Sequence, residues 1–142
     1  MRDTLYPLRK AFYEALNGQL TYNSVDVPVY DEIAPNNAPS SFVIISTGTT
    51  VDNDTLTSFQ SENTLLIDIV SKTGVSVSKD VVDNIANQVF LILKPSPNTN
   101  GLIPQAGFTF SQPKVASDNH LSLVANETTT RRLIRFSIKI NQ

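Results

Sequence analysis

Apolar residues recur along this chain with two periods, and those periods divide it into elements. Near the start, Leu5, Leu8, Phe12, Ala15 and Leu16 fall at helical spacing, while Arg9, Lys10 and Glu14 lie largely opposite, which predicts an amphipathic helix. Pro7 is tolerated only in a first turn, so the helix should begin at Asp3 or Thr4, either of which can cap it, and Asn17-Gly18 supplies the stop. A second series, Val77, Val81, Ile85, Val89 and Leu93, predicts a helix over residues 75–93. Ser76 or Ser78 is placed to cap it, Asp80 suits the positive end of its dipole, and Pro95 and Pro97 end it.

Elsewhere the period is two. Val27-Pro28-Val29-Tyr30 reads as a short strand, at a sheet edge or at a strand start because of its proline. Residues 42–47 form a stronger strand, and Leu65, Ile67 and Ile69 alternate with Leu66, Asp68 and Val70 in a strand expected to pair antiparallel with it. Phe108 and Phe110 alternate with Thr109 and Ser111. At the far end Ile134, Phe136, Ile138 and Ile140 alternate with Leu133, Arg135, Ser137 and Lys139, which predicts a strand with one wet face. The order helix, three strands, helix, two strands describes an α+β fold: a mainly antiparallel sheet with two helices packed on one face, in a single domain over residues 1–142. Polar connections at 31–41, 48–62, 94–105 and 112–127 are longer than such a fold needs, and 48–60 reads as a hairpin connection reaching beyond the body.

Composition narrows the function. The 142 residues, 40% of them hydrophobic, suffice for one substantial core. A net charge of -2 argues against a broad electrostatic grip on phosphates. With no cysteine there are no disulfides, thiolate metal sites or cysteine nucleophiles, so stability must come from packing or assembly. The opening MRDTLYPLRK alternates charged and apolar residues, which is neither the pattern of a signal peptide nor that of an anchor, and no run approaches a membrane span.

Catalytic chemistry finds little support. His120 is the single histidine, and its setting, Ser117-Asp118-Asn119-His120, reads as a solvated loop. Asp52-Asn53-Asp54 weakly suggests a cation loop but lacks the glycine and distal glutamate of an EF-hand, so a hairpin tip is preferred. The triplets Asn53-Asp54-Thr55 and Asn126-Glu127-Thr128 match the glycosylation pattern, and the five glycines are too scattered to cradle a phosphate. No catalytic, cofactor or metal site is expected. Arg131, Arg132, Arg135 and Lys139 form one basic cluster, read either as a charged edge strand kept from stray pairing or as a contact with an acidic neighbour. Asp68 is expected to face water; were both faces of its strand covered, it would need Arg132 or Arg135 as partner.

One succession resembles a known family. Leu8-x-x-x-Phe12-Tyr13-x-x-Leu16, then Pro28-Val29-Tyr30-Asp31, Pro39-x-x-Phe42-Val43-Ile44-Ile45 and Leu65-x-Ile67-Asp68-Ile69-Val70, is similar to the tail-completion or tail-terminator (head–tail joining) proteins of tailed bacteriophages. The resemblance covers residues 5 to about 95; the polar insertions after Pro95 depart from it. It implies a structural virion protein, made in the host cytoplasm and placed in the neck or upper tail. There it would form a homo-oligomeric ring, hexameric or dodecameric, that joins the portal or connector to the tail and surrounds passing DNA. Candidate inter-subunit or inter-ring contacts are Thr50, Asp52, Asn53, Asp54 and Thr55 in one loop, Asn98 and Asn100 in another, and Arg131, Arg132, Arg135 and Lys139. The alternative is a small ligand-binding or regulatory α+β module of a cellular protein, and an enzyme with dispersed carboxylates ranks behind both.

Overall fold

A computed structural model describes residues 1–72, 79–121 and 129–142. Helix α1 (Leu5–Leu16) carries Pro7 in its first turn, as its sequence requires. Asp3 performs the capping, its carboxylate accepting from the backbone N–H groups of Leu5 and Tyr6 at 3.1 and 3.2 Å. Thr4 turns its hydroxyl elsewhere, to Asn63. At the other end Asn17 N–H returns to Tyr13 O, and Gly18 takes the left-handed conformation (φ 77°) that ends the helix.

The linker after α1 is more ordered than its polar sequence suggests. Two-residue strands β1 (Thr21–Tyr22) and β2 (Val25–Asp26) pair antiparallel across Asn23 and Ser24, both at positive φ, the geometry of a tight hairpin turn. Strand β3 (Val29–Asp31) then runs parallel to β4 (Ser41–Asp52) at the sheet edge, with Pro28 just before its first residue, both of them places that a proline allows. Strand β4 pairs antiparallel with β5 (Gln60–Lys72), which pairs antiparallel with β8 (Thr129–Asn141). The short β6 (Thr109–Phe110) and the longer β7 (Lys114–His120) both pair with β8.

Helix α2 (Asp80–Leu93) begins later than the expected residue 75; the caps considered for it, Ser76 and Ser78, and its expected first apolar position, Val77, lie outside the described residues, as does the triplet Asn126–Thr128. Both helices pack on the same face of the sheet. Alternate residues of the long strands meet them: Val43 and Ile45 from β4, Leu65, Ile67 and Ile69 from β5, and Ile134, Phe136 and Ile138 from β8 are fully enclosed. Phe136 is the keystone, with the Phe12 ring of α1 at 5.8 Å and the Phe90 ring of α2 at 6.1 Å. This is the α+β architecture the periodicity implied, with one parallel pair in an otherwise antiparallel sheet.

Two expectations about the connections need correction. Residues 48–52 belong to β4 and residues 60–62 to β5, so the hairpin connection shrinks to residues 53–59. The ladder continues through this Gly- and Thr-rich stretch because a bulge between Ile45 and Gly48 resets its register, and because β5 is held along its whole length by β8. Space is tight at the joint: a Cβ on Gly48 would lie 2.9 Å from Leu5 Cδ2 and 3.1 Å from Thr64 O, so a side chain there would force its neighbours to shift. The second correction is that the polar connection 112–127 contains β7, an exposed edge strand without apolar alternation. Among the described residues no helix is long and apolar enough to cross a membrane.

Candidate assembly surfaces

The four basic residues near the C-terminal end do not form one cluster. Successive residues of a strand point to opposite faces, so Arg131 and Arg132 are separated by the sheet. Arg132 projects towards α2, where its Nε and Nη2 fork onto Asp118 of β7 at 2.8 and 2.6 Å and its Nη1 donates to Asp83 of α2 at 3.0 Å. The guanidinium also lies 5.8 Å from the Phe90 ring centre. The bidentate hydrogen bonds from Arg132 hold the Asp118 carboxyl below its ordinary value of 3.8 and raise the Arg132 guanidinium in turn.

His120 joins the same network. It stands on β7 opposite Arg132, half-buried, with Nε2 2.7 Å from Asp83 Oδ1. An ionised carboxylate only accepts, so Nε2–H is the donor. The expectation of a solvated loop histidine fails because residues 114–120 form a strand, and that strand places the ring against α2. Arg132, Asp118, Asp83 and His120 therefore tie α2 to the β7–β8 edge. Among the described residues no cluster of three or more His, Asp or Glu side chains has the geometry to hold a metal ion.

The opposite face carries Arg131, Arg135 and Lys139. Arg131 pairs with Asp68, whose side chain is only 8% exposed, so the expectation that Asp68 faces water is also corrected. Its partner is neither Arg132 nor Arg135 but Arg131, two strand positions from where Asp68 meets Leu133. Arg135 donates to Thr64 Oγ1 at 3.1 Å, and Lys139 is exposed opposite Glu62. Phe42 on this face is 4% exposed although α1 and α2 both lie on the other side; the Tyr30 ring meets it edge-on at 5.9 Å and the Lys72 ammonium lies 5.6 Å from its centre.

The remaining candidate residues divide between strand, tip and loop. Thr50 sits within β4, its hydroxyl donating to Asn63 Oδ1 at 2.8 Å beside the Thr4 hydroxyl, which donates to the same oxygen at 2.9 Å. Asn63 is fully buried, and these bonds fix the start of α1 to the sheet where the helix cover ends. Asp52 closes β4. Beyond it the tip is built by its own side chains: Asn53 N–H donates to Gln60 O, Asp54 Oδ1 accepts from Gln60 N–H at 3.1 Å, and Thr55 Oγ1 accepts from Ser58 N–H at 3.1 Å. Asn98 is exposed in the turn between Ser96 and Thr99. Asn100 is committed within the chain, donating to Phe110 O and Ser111 O at 2.9 and 3.1 Å and accepting from Leu102 N–H at 3.0 Å.

Sequence reasoning overlooked the apolar side chains of the tip and of the outer side of α1. Val51, Leu56 and Phe59 are all exposed at one end of the sheet, Leu56 completely. On α1, Tyr6 and Tyr13 lie two turns apart and exposed, and with Arg9, Lys10, Glu14 and Asp31 they line an open hollow of about 390 Å³. The spacing of Tyr6 and Tyr13 was the signal for the second surface; nothing in the polar tip sequence marks Leu56.

No protein-family model matches this chain, and comparison with curated proteins gave no match. Among solved structures the chain is similar to one described as the virion of a native gene transfer agent (GTA) particle, with a TM-score of 0.72 and 16% identity over 95% of each chain. At that identity the likeness establishes a shared fold.

Proposed function

We propose that this protein is a non-enzymatic, phage-like structural virion subunit that closes into a homo-oligomeric ring in the neck or upper tail, joining the head-side connector to the tail around the DNA channel. The observation that carries this reading is the likeness to a chain of a virion particle over nearly the full length of both chains, with no large insertion on either side. Full coverage matters because a common sheet motif within a larger enzyme would match only in part.

The geometry agrees in two ways. Beyond Ile45, where Glu32 N–H makes the last bond, no described backbone group outside β5 pairs with β4, and no described strand pairs with the outer side of β7. Such edges suit association with copies of the same chain. The polar groups of the Arg132 and Asn63 networks are also spent on one another, tying helices to the sheet. In the ring, residues 53–59 and 94–105 reach neighbouring subunits, adjacent rings or the lumen, where a mildly acidic wall lets the phosphate backbone slide.

Mass measurement in solution, with negative-stain imaging, tests the reading. Six or twelve copies in a closed ring, alone or on adding the adjacent connector protein, are expected. A subunit that stays single under all these conditions overturns it and favours the ligand-binding module.

A further inference from the structure

The tip of the β4–β5 ribbon presents apolar surface in a form that a solvated hairpin does not need. Leu56 is fully exposed, Val51 is 64% and Phe59 48% exposed, yet the turn that displays them is fixed by side-chain and backbone bonds. Thr55 N–H donates to Ser58 O at 3.0 Å, Asp54 holds Gln60, and Gln142 N–H donates to Phe59 O at 3.1 Å. A rigid tip loses little conformational freedom on docking, and an apolar anchor at its apex is the usual form of a binding hot spot.

The hollow on α1 has the complementary character. Tyr6 and Tyr13 form apolar walls about a floor of helix, with room for a branched aliphatic side chain. Its cations are poorly satisfied from within the chain. Arg9 Nε is shut off from water without a hydrogen-bond acceptor among the described residues, and the Asp31 carboxylate stands off at 3.7 Å. Lys10 makes an exposed contact of 3.8 Å with Glu14 one turn away, a weak pairing in water. The tip brings the opposite sign: Asp52 and Asp54 flank its apolar group, and neither makes an ion pair among the described residues.

We propose that Leu56, with Val51 and Phe59 beside it, docks between Tyr6 and Tyr13 of a second copy of this chain, and that Asp52 and Asp54 meet Arg9 and Lys10 there. The inference rests on the ring reading above and names its joint. Tip and hollow occupy different parts of one subunit, the end of the sheet and the flank beside β3, so the contact is head-to-tail. Repeated around an axis it closes a ring. Apolar burial supplies the attraction, and the charge pairing selects the register.

The natural absence of cysteine makes the test clean. A Leu56→Cys/Tyr13→Cys double variant, assembled and then oxidised, should give covalent multimers up to the ring size, while each single variant gives none above background. Leu56→Asp should weaken association by about tenfold or more, as hot-spot truncations do, with an unchanged circular dichroism spectrum. Lys10→Glu should weaken it less, and combining Lys10→Glu with Asp52→Lys should restore part of the loss. A wild type that forms the ring, while the oxidised double-cysteine variant gives no multimers and Leu56→Asp assembles as the wild type does, overturns this joint and leaves the ring reading standing. A wild type that remains monomeric with its connector partner present overturns both.

Discussion

Strand β4 has two halves of different character, divided by the bulge between Ile45 and Gly48. In the first half Val43 and Ile45 are fully buried, with β3 on one side, β5 on the other and helices above. In the second half, residues 49–52 are exposed, rich in threonine, and paired on one side only. The same backbone hydrogen bonding runs through both, held by an uninterrupted β5 and β8. One strand can therefore anchor the fold and present a surface, provided its register is reset where the helix cover ends.

The largest effect should come from breaking the buried half. Ile45→Ala removes a fully enclosed side chain beneath α1 and should cost about 2–5 kcal/mol, read as a lower urea midpoint with an unchanged slope. Next is the joint. Gly48→Val drives new methyl groups into Leu5 and the Thr64 carbonyl and should cost about 1–3 kcal/mol, together with faster amide exchange at the start of α1. A Gly48→Val protein as stable as the wild type would remove the bulge from its role as divider.

Smaller still, and conditional on pH, is the polar tie of the covered half. The folded-state carboxyl of Asp118 is depressed by Arg132, so its stabilisation is complete above the ordinary value of 3.8 and fades as the pH falls through the depressed one. Asp118→Asn should thus be less stable than the wild type at about pH 7, and the difference should close towards about pH 2 in urea melts. The smallest change in stability is expected at the tip. Thr55→Ala removes the turn's own hydrogen bonds, yet should shift folding by no more than about 0.5 kcal/mol, because nothing buried depends on them. A loss as large as that of Ile45→Ala would mean that the two halves fold as one.

This contrast also explains what could be read in advance. The buried half announces itself: Leu65, Ile67 and Ile69, or Ile134, Phe136 and Ile138, alternate because one face must leave water. Both helices follow from the same logic, and with them the α+β layering. The presenting half and β7 do not alternate, since edge strands wet on both faces need no apolar period. Their pairing is imposed by the partner strand, which local composition cannot reveal. Arg131 and Arg132 illustrate a different limit. Their adjacency suggested a cluster, while the pleat already required that they part, one to Asp68 and the other to Asp83 and Asp118. His120 was hidden for the same reason as β7, because its role depends on a strand that its neighbours do not predict.

The position of the bulge has an evolutionary consequence. Because none of residues 51–59 is buried, the ribbon can be lengthened at its tip without disturbing the packed interior. Two residues added to each arm keep every side chain on its original face and extend the reach by about 7 Å. Descendants of one ancestral subunit could in this way adapt to wider or narrower neighbours by insertion alone, a change of size that demands no rewriting of the core.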